Sequence, residues 1–113
     1  MTTIVVAQLV APAKLAATDA AAVYAAPLLT TVKIGRAVFT NTTGSAVTIT
    51  AGITTGGNLS AATTLISAQS LAPGQAYVSP ELNGQVLPQN SALRAYSNTA
   101  SAVTFAMSGL TIK

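Results

Sequence analysis

The sequence predicts an all-β fold: a single antiparallel β-sandwich, jelly-roll or immunoglobulin-like, with about eight strands. Three observations point to this fold class. Apolar residues alternate with Thr at period two, most clearly over Val47–Thr54. Turn residues recur roughly every 8–15 residues, as in small sandwiches and barrels. The length of 113 residues suits one domain with one core, so residues 1–113 are assigned to a single domain.

Segments with the strand pattern are separated by turns rich in Gly, Asn and Pro. The predicted strands are Ile4–Leu9, Lys14–Ala17, Ala22–Ala25, Val32–Asn41, Ala46–Thr54, Thr63–Ser70, Ala76–Ser79, Ala92–Ser97 and Ala102–Ile112. In the first of these, both sets of alternating positions are apolar, so residues 1–13 form either a central strand of the chain's own sandwich or an arm that adds to a neighbour's sheet edge. We favour the chain's own sheet, because most terminal strands pair within their own domain.

Glycine marks two places where the alternation slips by one residue, and we predict a β-bulge at each. The first is at Gly35, directly after Ile34. The second is at Gly109, where Met107 and Leu110 fall out of phase.

The Ala-rich segment Ala16–Ala22 is the one helical pattern, since Ala is the best helix former. It is short and has no stripe of large side chains. We therefore predict a turn or loop there.

Charged side chains are scarce: five Lys and Arg, two Asp and Glu, and neither His nor Cys. A nucleophilic Ser needs an activating base, for which His is absent. The two carboxylates, Asp19 and Glu81, lie in predicted loops with nothing to set them at the spacing that glycoside hydrolysis requires. We expect no enzymatic activity, no metal site and no cofactor.

The net charge of +3 does not predict a nucleic-acid partner, because only Lys33 and Arg36 lie close in sequence. No apolar run approaches the ~18 residues of a membrane helix. Residues 1–3 carry no cationic side chain, so we expect no secretory signal and no membrane contact. Cytosolic synthesis is the expectation.

Two arginines within predicted strands are either solvated side chains of an outer face or contacts between subunits, where Arg is enriched. A tyrosine two residues after the second arginine either packs in the core or rim, which is favoured, or contacts another subunit, and the apolar N-terminal strand contacts a neighbour if it is an arm. The candidate subunit-contact residues are therefore Arg36, Arg94, Tyr96, Ile4 and Val6.

Several short motifs recur in a familiar order over roughly residues 22–113. They are Tyr24–Pro27 (YAAP), Asn41–Gly44 (NTTG), the alternating strand Val47–Ile53, Leu71–Gly74 (LAPG), Leu93–Ala95 (LRA) and Ser108–Ile112 (SGLTI). In this order they resemble small all-β structural proteins of tailed bacteriophages. The resemblance implies a β-sandwich in the virion and supplies no catalytic residues.

From this resemblance and the scarcity of charge we expect a capsid decoration (cement) protein. It would bind the major capsid protein on the virion's capsid surface as a small symmetric oligomer, a homotrimer. The alternatives are a tail, head–tail junction or fibre component, or a receptor- or carbohydrate-binding virion module. The last needs exposed aromatic side chains, for which Tyr24, Tyr77 and Tyr96 are the candidates.

Overall fold

Two antiparallel sheets pack face to face in this chain, of which a computed structural model describes residues 3–19 and 22–113. The strands are β1 (Ile4–Lys14), β2 (Tyr24–Ala25), β3 (Thr31–Asn41), β4 (Val47–Thr54), β5 (Thr64–Leu71), β6 (Ala76–Val78), β7 (Val86–Leu87), β8 (Ala92–Ser97) and β9 (Val103–Ile112). Sheet A has the order β1-β9-β3-β6, with β7 also paired to β3, and sheet B has the order β2-β8-β4-β5. The predicted all-β sandwich is confirmed, and the described residues contain no helix.

The strand pairs are nested, which gives the sandwich the topology of a jelly roll. β1 pairs with β9, β2 with β8, β3 with β6 and β4 with β5, all antiparallel. This is the pattern of a long antiparallel ribbon folded over into two sheets, as in double Greek-key jelly rolls. The N-terminal strand β1 pairs with β9 of its own chain, as favoured, but it lies at an edge of sheet A, so the expected central position is wrong.

Two predicted strands differ from the observed ones, and one observed strand has no predicted counterpart. The predicted strand Lys14–Ala17 is wrong, because β1 continues through Pro12 to Lys14 and ends there. The short strand β7 was not predicted. Of the predicted strand Ala22–Ala25, only Tyr24 and Ala25 form a strand, β2. Residues 16–19 form no helix, and the rest of the Ala-rich segment includes Ala20 and Ala21, which lie outside the described residues.

The core lies between the sheets and is organised around two aromatic side chains. Phe39 of β3 and Phe105 of β9 are register partners, fully buried, with ring centroids 4.7 Å apart. Tyr77 of β6 adds a third ring, 6.5 Å from Phe39. The other large fully buried side chains include Ile34, Ile49, Leu71, Leu82, Leu87 and Leu93. Aromatic pairs at such distances contribute beyond their buried area.

The bulge predicted at Gly35 is confirmed, and the one predicted at Gly109 is wrong. Along β3 the partner of Ile34 is Gly109 and the partner of Arg36 is Ser108, so Gly35 is the additional residue. β9 continues in phase from Val103 to Ile112, and the other register shifts of this sheet lie on β1. Because the alternation of β9 is unbroken, Leu110 and Ile112 lie on the outer face of sheet A and not in the core.

A buried asparagine joins the two sheets at one end of the sandwich. Asn41, at the end of β3, donates from Nδ2 to the carbonyl oxygens of Ser45 at 2.8 Å and of Leu71 and Ala72 at 3.2 Å. Its Oδ1 accepts from the backbone N–H of Thr43 at 3.0 Å. Because a buried amide must be hydrogen-bonded, this side chain fixes the β3–β4 turn against the end of β5.

Gly109 is required because the β3 bulge brings backbone against it. A Cβ built at Gly109 would lie 2.1 Å from the carbonyl oxygen of Lys33. We therefore expect Gly109→Ala to lower the free energy of unfolding by roughly 2–4 kcal/mol, measured by urea denaturation. The matched control is Gly44→Ala, since a Cβ at Gly44 has no atom within 4 Å. Equal stability of the two variants would show that β3 does not approach β9 this closely.

Candidate interaction surface

The five candidate contact residues lie on two different outer faces. Ile4, Val6 and Arg36 share the outer face of sheet A: Ile4 pairs with Ile112, Val6 with Leu110, and Arg36 with Ser108 next along β9. Arg94 and Tyr96 lie on β8, on the outer face of sheet B, and both are half-buried. The structure thus brings three of these residues onto one surface and places the other two on the opposite side of the sandwich.

Exposed apolar side chains gather where β1 begins, β9 ends and β3 begins. Val6, Leu110, Lys33 and Val86 form one row across sheet A, and the next row starts at Ile4. We call this region the apolar end and define it by Ile4, Val5, Val6, Leu28, Leu29 and Val86. Val5 projects from the opposite face of β1 to Ile4 and Val6. The six defining residues are among the eight large hydrophobic residues that are exposed in the described chain, and Val6 is 82% exposed. Such a concentration marks an interaction surface more strongly than scattered exposed residues do.

The sequence pattern identified only part of the apolar end. Ile4 and Val6 were singled out because their strand is apolar on both parities. The bulge expected at Gly109 would place Leu110 on the same face as the buried Met107, whereas Leu110 lies on the outer face. Leu28 and Leu29 lie in the β2–β3 connection, where period two gives no signal. The sequence feature that could have found them is an adjacent pair of leucines in a loop, where exposed apolar side chains are uncommon.

Leu29 also has a strained backbone. Its φ is 57°, in the left-handed region that large side chains disfavour, while its side chain is 77% exposed. The backbone N–H of Leu29 donates to Oε1 of Gln89 at 2.9 Å, which holds this conformation. The hydrogen bond to Gln89 thus fixes a strained loop conformation in which the Leu29 side chain is exposed.

Arg94 is engaged within its own chain. Its Nη1 lies 2.9 Å from Oδ1 of Asp19, forming the one salt bridge within residues 3–19 and 22–113. The backbone N–H of Leu59 donates to Oδ2 of Asp19 at 2.6 Å. Leu59 in turn packs on Gly52, where a Cβ would lie 2.7 Å from the Leu59 side chain. Asp19 therefore ties the β1–β2 and β4–β5 connections to β8, a structural role.

The other carboxylate is also held by neighbouring groups. The hydroxyl of Tyr77 donates to Oε1 of Glu81 at 2.6 Å, and the hydroxyl of Ser79 donates to the same oxygen at 3.2 Å. The Tyr77 hydrogen bond lowers the pKa of Glu81, although burial opposes the change. Burial and the neighbouring carboxylate together raise the pKa of Tyr77 to about 12.

The pKa of Asp19 is likewise below its usual range. Burial raises this pKa, but the Leu59 N–H, the Arg94 guanidinium and the Asn58 amide together outweigh burial. Neither carboxylate hydrogen-bonds to the other among the described residues. Each stabilises the fold in its charged form.

An apolar cavity of about 290 Å³ opens between the sheets beside β1. Val10, Leu15, Ala95 and Phe105 contribute to its walls, and Lys14 is its one ionisable group. The ammonium of Lys14 already donates to Oγ1 of Thr42 at 2.6 Å. A ligand site needs several convergent polar groups, which these walls do not supply.

Within the described ranges, no three His, Cys, Asp or Glu side chains are grouped as a metal ion requires. The same part of the chain contains no helix long and apolar enough to cross a membrane. Comparisons with protein-family models, with curated proteins and with solved structures give no match to this chain.

The depressed carboxyl pKa values predict a specific pH dependence of stability. The ordinary pKa values are 3.8 for Asp19 and 4.5 for Glu81, and both are lower in the folded state. As the pH is lowered, these carboxylates are therefore protonated at a higher pH in the unfolded state than in the folded state. The free energy of unfolding then falls as the pH drops below these ordinary values. With no His or Cys to titrate, the urea midpoint should stay constant from about pH 5 to about pH 9. Asp19→Asn and Glu81→Gln should each flatten the acid limb, whereas a midpoint that falls between pH 7 and pH 5 would contradict the assignment.

Relieving the strain at Leu29 should stabilise the isolated chain. Asn tolerates the left-handed conformation, so we expect Leu29→Asn to raise the free energy of unfolding by about 1 kcal/mol. Leu28→Asn is the matched control, because Leu28 is similarly exposed and is not among the non-glycine residues with positive φ. Equal urea midpoints for the two variants would show that Leu29 is not strained in solution.

Proposed function

We propose that this chain is a bacteriophage virion structural protein, a decoration protein that binds the assembled head as a small oligomer and stabilises it. The observation that carries the proposal is the apolar end, where six large hydrophobic side chains are exposed together. The resemblance of the sequence motifs to small phage structural proteins supplies the virion as the setting. The major capsid protein is the proposed partner.

The stabilisation follows from mass action. A protein that binds the assembled lattice but not its dissociated subunits shifts the equilibrium toward the lattice. Completing the burial of a side chain such as Val6 or Ile4 gains about 1–2 kcal/mol. One chain therefore contributes a modest binding energy, whereas an oligomer engages several apolar ends at once and gains effective concentration. This favours a multi-subunit decoration protein over a monomeric one.

The charge distribution determines how such a contact responds to salt. The exposed cationic side chains near the apolar end are few: Lys33 in the central row, Lys113 opposite Thr3, and Arg36, which pairs with Ser108. Neither described acidic side chain lies there, since Asp19 and Glu81 are held in their own connections. Apolar burial and backbone hydrogen bonds are little affected by ionic screening. The contact should therefore persist at high ionic strength.

Tail, head–tail junction and fibre components expose the same kind of surface, and their copy number distinguishes them from a head protein. The receptor-binding alternative has less support. Tyr24 packs against the core, and Tyr77 packs on Phe39 with its hydroxyl on Glu81. Tyr96 is then the one tyrosine on an outer face, and a single half-buried ring is a poor sugar platform. The jelly-roll fold itself occurs in both capsid and lectin domains and does not decide between them.

The copy number of the chain in purified virions of the phage that encodes it tests the proposal. We expect hundreds of copies per particle by quantitative mass spectrometry, and retention of the chain after a wash in about 1 M salt. A few to dozens of copies would indicate the tail. Absence from the virion, or release by salt alone, would overturn the proposal.

Substitutions at the apolar end should remove the chain from the particle without unfolding it. The variant Leu28→Asp combined with Val86→Asp is added to particles that lack the chain. We expect its affinity for these particles to fall at least tenfold, which corresponds to a loss of about 1.4 kcal/mol of binding free energy. Leu65→Asp is the matched control, since Leu65 is also exposed but lies on β5 in the opposite sheet. Equal affinity of the two variants would show that another surface binds the lattice.

A further inference from the structure

The outer edge of β1 has unpaired backbone groups at known positions. Thr3 and Lys113 exchange two hydrogen bonds, with N···O distances of 2.8 and 2.9 Å. Hydrogen-bonded and non-hydrogen-bonded pairs alternate along an antiparallel ladder, so Val5 and Ala7 also point their backbone groups toward β9. The N–H and C=O groups of Ile4, Val6 and Gln8 therefore point away from β9, toward the open side of sheet A.

This half of β1 lacks the features that usually protect an edge strand. Residues 4–10 contain no charge and no proline. Pro12, Lys14 and both register shifts of β1 lie at or beyond its middle. Natural proteins protect edges with such charges, prolines and bulges, and an unprotected apolar edge invites pairing.

The other edges of the described sandwich are short or irregular. β2, β6 and β7 have only two or three residues each. β5 is longer, but its pairing with β4 shifts register twice, and Ala68 within it has a φ of 49°. Bulges of this kind bend a strand away from further pairing. The first half of β1 is therefore the one straight, unprotected edge in the described part of the chain.

We propose that this edge pairs with the same edge of a second copy, antiparallel and about a two-fold axis at Val6. Val6 then lies opposite its own counterpart, and Ile4 lies opposite Gln8 of the second copy. Ile4, Val6 and Gln8 each exchange two backbone hydrogen bonds with the residue opposite, so every outward-pointing group from Ile4 to Gln8 is satisfied. The two A sheets join into one.

Three features favour a second copy over a foreign strand. The contact carries no charge, so no like charges meet across the axis. On the inner face the exposed side chain of Val5 meets the small Ala7 of the other copy. On the outer face the row through Leu110 and Val6 continues into the equivalent row of the other copy, so the outer-face residues of the two apolar ends lie side by side.

This pairing is isologous and closes at two copies, since each copy offers a single such edge. It differs from the homotrimer expected from the sequence, which requires a head-to-tail contact. The inference rests on the proposed function for the premise that the chain assembles. Its test uses the purified chain alone, so a failure here leaves the virion copy number, and with it the proposed function, untouched.

Charge substitutions at the two-fold axis give the sharpest test, because residue 6 faces itself. We expect the purified chain to sediment as a dimer, and Val6→Lys and Val6→Glu each to weaken dimerisation at least tenfold by like-charge repulsion. Mixing the two variants should restore a dimer containing one copy of each, detected by native mass spectrometry. The same pair of substitutions at Val86 is the control, since Val86 is equally apolar but lies away from the edge, and it should leave the dimer intact.

A second variant separates pairing from folding. Val6→Pro removes the N–H that points toward the second copy, while the bonds of Val5 and Ala7 to β9 remain. It should be a folded monomer, with a thermal unfolding midpoint close to that of the parent chain. A monomeric parent chain at about 0.1 mM would overturn the proposal. A trimeric mass, or failure of the Val6→Lys and Val6→Glu mixture to dimerise, would overturn it equally.

Discussion

The arrangement of sheet A depends on the pairing of β3 with β9 across a single bulge. Gly35 is the additional residue, and Gly109 opposite Ile34 leaves space for the carbonyl oxygen of Lys33. The bulge allows Ile34 and Ala37 both to enter the core although they are three residues apart. Because β9 keeps its phase, the same pairing turns Leu110 outward. One local backbone feature thus completes the core on one face and supplies the central row of the apolar end on the other.

Most of the strand content was predictable because half-buried strands carry a period-two signal. That signal also located the Gly35 bulge, where large side chains on both flanks are buried. It failed at Gly109 because the apolar character of Leu110 was taken as evidence of burial, whereas the residue lies on an exposed face. It failed at Val86–Leu87 because a two-residue strand is too short to show a period. It could not show that β1 continues through Pro12, since proline is tolerated on an edge strand.

The candidate surface was only half predictable, for a reason of topology. Ile4 and Val6 are identifiable in the sequence because their strand is apolar at both sets of alternating positions. Their neighbours on the surface come from β9, from β7 and from the β2–β3 connection, which only the jelly-roll order brings together. Arg94 shows the reverse case. From its sequence context alone, Arg94 is an arginine within a strand that has no identified partner. In the structure its guanidinium donates a hydrogen bond to Asp19, which lies 75 residues away in the sequence. A pairing over that separation leaves no local pattern in the sequence.

The two proposals constrain each other through symmetry. A two-fold dimer presents two equivalent apolar ends, side by side across the axis at Val6, so both engage equivalent sites only where the lattice itself has a local two-fold axis. A trimer would instead match a local three-fold axis. Because the proposed β1 pairing leaves the outer side chains of Val6 and Leu110 uncovered, the proposed dimer contact and the proposed lattice contact use different parts of the same strands. A dimer held by backbone hydrogen bonds can therefore bind through its side chains without first dissociating, and the two contacts reinforce each other through effective concentration.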